Sequence, residues 1–258
     1  MPPDVSPSTP DQPPRKRRVH REVVSFVRRS ARMNDSQVKA WEAHHDRWVI
    51  EVAQGETETS IVAQPQPDWE VVFGREAPLI VEIGSGTGES LVAMAKAHPE
   101  ANVVAFEVFQ PAVASTLSRM AREGVDNIRI VMGNGQQGLE HLFEPGSISE
   151  LWLFFADPWH KVRHHKRRLV GADFAQLVRS RLVDGGRWRL ATDWDDYAEW
   201  MREVLDVASG LVNEHLDPAD PENTGWAPRL ELRPVTKYER KGLAAGRTIH
   251  DLTYRKTS

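Results

Sequence analysis

Val81-Glu82-Ile83-Gly84-Ser85-Gly86-Thr87-Gly88 joins a short apolar run, Leu79–Ile83, to a stretch with helical spacing at Leu91, Val92, Met94 and Ala95. A strand that ends on spaced glycines and turns directly into a helix is the opening unit of a parallel α/β sheet. Glycine takes the sharp turn without steric cost and lets a ligand approach the backbone. The same alternation continues downstream. Val103–Val108 reads as a second strand, and Pro111 opens a helix reaching about Arg122. Ile128–Met132, Leu151–Phe155 and Arg187–Ala191 read as the third, fourth and fifth strands. A helix then runs through Tyr197, Trp200, Met201 and Leu205, and Ile249–Tyr254 closes the chain as another strand. Short apolar strands alternating with helices predict an α/β fold, a mostly parallel sheet with helices on both faces.

The glycine loop says something about its ligand. The dinucleotide fingerprint G-x-G-x-x-G requires a small residue at position 89, and Glu89 stands there. Glu82 and Glu89 flank the helix N-terminus, where two carboxylates repel a pyrophosphate. A ligand without phosphate and with a cationic centre fits better, and S-adenosyl-L-methionine, with its ammonium and sulfonium, is such a ligand. Glu107 ends the second strand twenty-three positions after Gly84, placed to accept hydrogen bonds from both ribose hydroxyls. After the third strand, Gly133-Asn134-Gly135 offers a side-chain amide to the adenine amine, with a plain turn as the alternative. Gly84, Gly86, Glu107 and Asn134 thus all fall at the carboxyl ends of consecutive strands, where open α/β sheets bind ligands.

Composition narrows the chemistry further. The 258 residues include no cysteine, which excludes disulfides, thiolate zinc sites and any cysteine nucleophile. Nothing approaches the roughly 18 consecutive apolar residues of a membrane helix, and the N-terminus lacks an apolar signal core, so no membrane association and a cytoplasmic location are expected. The formal net charge is -4, but its distribution is uneven. Residues 158–189 hold nine Lys/Arg against two acids, whereas 191–222 hold ten acids against Arg202 alone. Residues 1–18, with six prolines in the first fourteen positions and a basic run at Arg15–Arg18, read as a disordered tail. Residues 19–78 read as an arm and capping segment with some helix, and 79–258 as the main domain, with 19–258 one structural unit.

Beyond the fourth strand comes Phe154-Phe155-Ala156-Asp157-Pro158-Trp159-His160-Lys161, followed by Val162-Arg163-His164-His165-Lys166-Arg167-Arg168. Asp157 falls beside the cofactor crevice, and Trp159 offers a stacking face. Arg163, Lys166, Arg167 and Arg168, next to an aromatic ring, form a phosphate-binding footprint, with a solvated charge run as the alternative. His160 and His164 have the i, i+4 spacing of a metal pair, but the cations around them oppose a divalent ion, and no metal is expected.

From about Val23 to Lys256 the sequence resembles the bacterial tRNA (guanine-N7-)-methyltransferases. The most specific segment is ADPWHKVRHHKRRLV at 156–170, and LATDW at 190–194 and RPVTKYERKG at 233–242 follow in the family's order. Ser25-Phe26-Val27-Arg28-Arg29 resembles the family's N-terminal arm. The resemblance implies a Rossmann-like class I methyltransferase with a seven-stranded sheet, S-adenosyl-L-methionine as cofactor and tRNA as partner. It implies transfer of a methyl group to N7 of a guanosine in the variable loop, position 46 of the tRNA. Glu82, Glu107 and Asp157 are implied as cofactor-side residues and Asp157 as the catalytic one. Lys161, Asp193 and Thr236-Lys237-Tyr238-Glu239 match the substrate-binding positions. Asn134 stands where an aspartate is common, and Ala156 where a proline is usual. By this reading Asp157 holds the base edge, Asp193 and Glu239 accept hydrogen bonds from guanine, and Trp159 stacks on it.

Two other readings stand beside it. A methyltransferase acting on an exocyclic amine often carries [DN]PP[YFW] after the fourth strand, and Asp157-Pro158-Trp159 is one proline short of that. A non-catalytic RNA-binding protein with this fold is the other. Nothing in the sequence sets the oligomeric state.

Overall fold

The computed structural model describes residues 32–217, 219–220 and 223–258. The proline-rich tail, the basic run at 15–18 and the arm at 25–29 lie outside the described residues. Helix α1 (Asp35–Trp48) starts at a reciprocal cap, in which Asn34 accepts from the Gln37 backbone and the Gln37 side chain accepts from Asn34 N–H. It runs into a two-residue strand, β1 (Val49–Ile50), and α2 (Trp69–Phe73) follows after a proline-punctuated stretch. The regular alternation then begins: β2 (Leu79–Ile83), α3 (Glu89–Ala97), β3 (Asn102–Glu107), α4 (Gln110–Glu123), β4 (Ile128–Met132), α5 (Gly135–Leu142) and β5 (Ile148–Phe154). A 3-10 turn at Val162–Arg167 leads to α6 (Ala172–Arg181), β6 (Leu182–Thr192), α7 (Asp195–Leu205), β7 (Leu211–Asn213), α8 (Lys237–Ala244) and β8 (His250–Lys256).

The strands form one sheet in the order β1-β4-β3-β2-β5-β6-β8-β7. All pairs are parallel except those of β8, which runs antiparallel to β6 and β7. The expected seven strands become eight because β1, from a segment expected to carry only arm and helix, adds to the edge beside β4. From β2 the chain steps outward through β3 and β4, then crosses back to pair β5 on the other side of β2. That reversal opens a crevice at the carboxyl ends of β2 and β5.

The period-two alternation of strand side chains feeds two cores. Val81, Ile83, Phe106, Leu151, Leu153 and Trp188 pack with Leu139, Phe174 and Tyr197 of α5, α6 and α7. On the other face Ile80, Val103, Ala105, Ile130 and Trp152 pack with Leu91 and Met94 of α3 and Leu117 and Met120 of α4. Close approach is built in at Gly138, where a Cβ would lie 2.1 Å from the Phe106 ring, so α5 sits directly on β3. Among the described residues no helix is long and apolar enough to cross a membrane.

Candidate active site

A cavity of 460 Å³ lies at the carboxyl ends of β2, β3, β4 and β5, within the usual range for a small-molecule site. The β2–α3 loop forms one wall. Gly84, Gly86 and Gly88 all have left-handed φ, at 79°, 56° and 73°. At Gly88 even a tolerated backbone would leave a Cβ 2.6 Å from the Thr116 hydroxyl of α4. Glu107 holds this loop open. One carboxylate oxygen accepts the Gly86 N–H at 2.8 Å, and the other accepts those of Val108 and Phe109 at 2.8 and 2.9 Å. These three bonds fix the Glu107 carboxylate at the mouth of the β2–α3 loop, where it lines the cavity.

Glu82 is only 3% exposed, and its Oε2 has no hydrogen-bond partner. Burial, with Glu107 nearby as a second negative charge, pushes its carboxyl up to about 8. The Ser85 hydroxyl in the same wall is also buried without a partner. Buried polar atoms are normally paired. Two orphans facing one cavity, one of them an acid crowded by another acid, fit a ligand that brings a cation and hydrogen-bond donors. These residues therefore fit S-adenosyl-L-methionine, whose cationic centre and donors answer the Glu82 and Ser85 orphans.

Asn134 also lines the cavity, but its side chain caps α5, accepting the Gln136 N–H at 3.0 Å. A neighbouring segment seals the back of this loop. Thr59 C=O accepts the Asn134 N–H at 2.7 Å, and Ile61 packs where a Cβ on Gly133 would fall. Nothing in the sequence of residues 53–61 marks them as part of the site; the signal is tertiary.

The opposite wall comes from the turn after β5 and from α8. Phe155 and Trp159 both have left-handed φ, 55° and 47°, unlike any other described non-glycine residue. Such backbone costs about 1–3 kcal/mol per residue and persists where surrounding contacts enforce it. Asp157 stands between them and lines the cavity. Arg168 enforces the turn. Its Nε donates to Pro158 C=O at 3.0 Å, its guanidinium lies over Tyr197 and Trp200, and it pairs with Asp196. With its side chain 1% exposed, Arg168 is not available to a phosphate. That corrects the expectation from the basic run, where spacing alone does not separate an inward arginine from its outward neighbours. Lys161, Arg163 and Lys166 are exposed, and Arg167 stacks on Trp159 with 4.8 Å from Cζ to the ring centroid.

Thr236-Lys237-Tyr238-Glu239 reads as a strand end in isolation but starts a helix, with the Thr236 hydroxyl accepting the Glu239 N–H. Thr236, Lys237 and Tyr238 face the cavity, joined by Lys241 one turn on, which the sequence did not flag. Glu239 turns away. It is 1% exposed and accepts from Arg229 at 2.6 and 3.1 Å, beside Arg233 at 3.8 Å. Arg233 is fully buried, forked onto Asp251 at 2.6 and 3.0 Å and lying over the Phe154 and Phe155 rings. Asp193 pairs with Arg247 at 2.7 Å and presses against Gly242 of α8. Neither Asp193 nor Glu239 lines the cavity, so their expected hydrogen bonds to guanine are not supported; both brace α8. Among the described residues no group of three or more metal-ligating side chains comes together.

Comparison with known proteins agrees with this architecture. Residues 76–252 match a family described as putative methyltransferase. A tRNA (guanine-N(7)-)-methyltransferase of Cutibacterium acnes is 53% identical, covering 93% of this chain and 85% of the relative. Another from a Nocardioides species is 48% identical, over 92% and 88%. Among solved structures, the 16S rRNA methyltransferase KamB aligns with a TM-score of 0.50 at 16% identity, over 81% of this chain and 100% of that one, a likeness of fold. With relatives 53% and 48% identical over more than nine-tenths of its length, the protein belongs to the tRNA (guanine-N(7)-)-methyltransferase family.

Proposed function

We propose that this chain transfers the methyl group of S-adenosyl-L-methionine to N7 of a guanosine in the variable loop of tRNA, position 46, in the cytoplasm. The observation that carries the reading is the placement of Asp157, on an enforced turn, in one cavity with the orphaned Glu82 carboxyl and the α8 residues Thr236–Tyr238. The cofactor, when bound, supplies a methyl group on a positively charged sulfur. Guanine N7 carries an in-plane lone pair, so the reaction removes no proton and needs no general base. What remains for the protein is alignment and electrostatics.

Asp157 holds the base edge and offsets the positive charge that accumulates on the alkylated ring. Lys161, Arg163 and Lys166 lie on the excursion between Asp157 and Leu169, both of which line the cavity. Exposed on that loop, they would hold phosphates of the tRNA. Trp159 carries Arg167 on its ring and stands two residues after Asp157, outside the cavity lining, where it would stack on a base swung out of the folded tRNA.

The test is methyl transfer from labelled cofactor to an unmodified tRNA transcript, followed by borohydride reduction and aniline cleavage, which cuts at 7-methylguanosine. A single cut in the variable loop is expected. Incorporation without a cut would assign the methyl group to another atom, such as an exocyclic amine.

A further inference from the structure

Glu89, the residue that breaks the dinucleotide fingerprint, has a second consequence in three dimensions. It is the first residue of α3, directly after the glycine loop, and it lines the cavity. Its Oε2 accepts the backbone N–H of Lys237, the first residue of α8, at 2.7 Å. Its Oε1 lies 3.6 Å from Arg240 of α8 and 4.0 Å from Arg119 of α4. One carboxylate therefore joins the cofactor loop to the helix that forms the facing wall.

Helix α8 depends on such contacts. It has eight residues, and among them only Glu239 and Gly242 are buried. A helix this short does not hold itself in water without tertiary support. Its supports are polar: the Arg229–Glu239 pair, Asp193 against Gly242, and Glu89 at its N-terminus. The first two fix α8 to its own side of the cavity. Glu89 ties it to the loop that cradles the cofactor, through a charge-assisted hydrogen bond stronger than a neutral one.

We propose that Glu89 is a positioning residue that couples the cofactor loop to α8, so that ordering the loop sets Thr236, Lys237 and Tyr238 in place for the tRNA. The coupling rests on the reading of α8 as the substrate side. Its structural arm is tested apart from that reading, by amide hydrogen exchange on the full chain with and without S-adenosylhomocysteine. In the wild type the ligand is expected to slow exchange over residues 237–244. In Glu89→Ala the ligand still binds, but exchange there is expected to be about tenfold faster and insensitive to it, with β2 and α4 unchanged. In methyl transfer, Glu89→Ala raises KM for tRNA about tenfold with less effect on cofactor affinity. Glu89→Gln, which keeps the acceptor but loses the charge, falls between.

Ligand-independent exchange of α8 in the wild type, or equal exchange in wild type and Glu89→Ala, would overturn the proposal. So would a loss confined to cofactor affinity with KM for tRNA unchanged. If the wild type transfers no methyl group to tRNA, the exchange experiment still decides whether Glu89 couples the two walls.

Discussion

Glu82 carries an electrostatic cost that the free protein does not relieve. Its carboxyl is raised from 4.5 to about 8 by burial and then by Glu107. Below the unfolded value both states hold the proton, and there is no penalty. As pH rises from 4.5 to 8 the unfolded chain ionises while the folded chain keeps its proton, so stability falls through that window. Glu82→Gln is therefore expected to melt higher than the wild type at pH 8 without cofactor, by on the order of a few kcal/mol. The difference should close toward pH 4.5. The same variant loses the stabilisation that cofactor gives. A pH-independent difference in thermal melts would count against this account. The sequence placed Glu82 correctly at the end of β2, because strand length and the glycine loop fix that position. It also put Glu107 at the end of the neighbouring strand, but it gave no sign that Glu82 is buried without a hydrogen-bond partner for Oε2.

Among the elements, α8 shows most clearly where sequence reading stops. Periodicity exposed β2 to β6, β8 and the helices α3, α4 and α7 because their apolar faces repeat. It missed α8, α5 and α6. In α8 most side chains are polar, and its buried Glu239 is held by Arg229 and Arg233, charged residues that sequence spacing assigns to the surface. Arg168 misleads for the same reason: nothing in a basic run marks the member that faces inward beneath Pro158. The buried fork between Arg233 and Asp251 links α8, β8 and the end of β5. Removing one partner leaves a buried charge unpaired, so Arg233→Met is expected to cost about 3–5 kcal/mol in urea unfolding. Arg240→Ala, on an exposed side chain of the same helix, is expected to cost well under 1 kcal/mol. Equal costs would remove the network from its role in holding α8.

At the scale of the whole molecule, the net charge of -4 hides exposed cations concentrated in the 161–166 loop and on α8. Exposed Lys161, Arg163 and Lys166 lie on the loop between cavity-lining Asp157 and Leu169, and exposed Lys237 and Lys241 line the cavity themselves. Each cation on a phosphate releases counterions, so replacing Lys161, Arg163 and Lys166 together with alanine is expected to weaken tRNA binding. The dependence of log affinity on log salt should flatten by about one unit per side chain. Cofactor affinity should not move, because none of the three lines the cavity. An unchanged slope in filter-binding titrations would mean that the loop is solvated surface.

These scales meet at Asp157, which lines the cavity on a turn braced by Arg168 at Pro158 and by Arg233 against Phe154 and Phe155. The most direct measurement is single-turnover methyl transfer by Asp157→Ala with saturating S-adenosyl-L-methionine and tRNA, with the dissociation constants of both determined in parallel. The rate is expected to fall by at least about 100-fold, the scale of one removed transition-state contact, while tRNA affinity stays within a few-fold. A near-normal rate at saturation would contradict the account and move the chemistry away from the β5 turn.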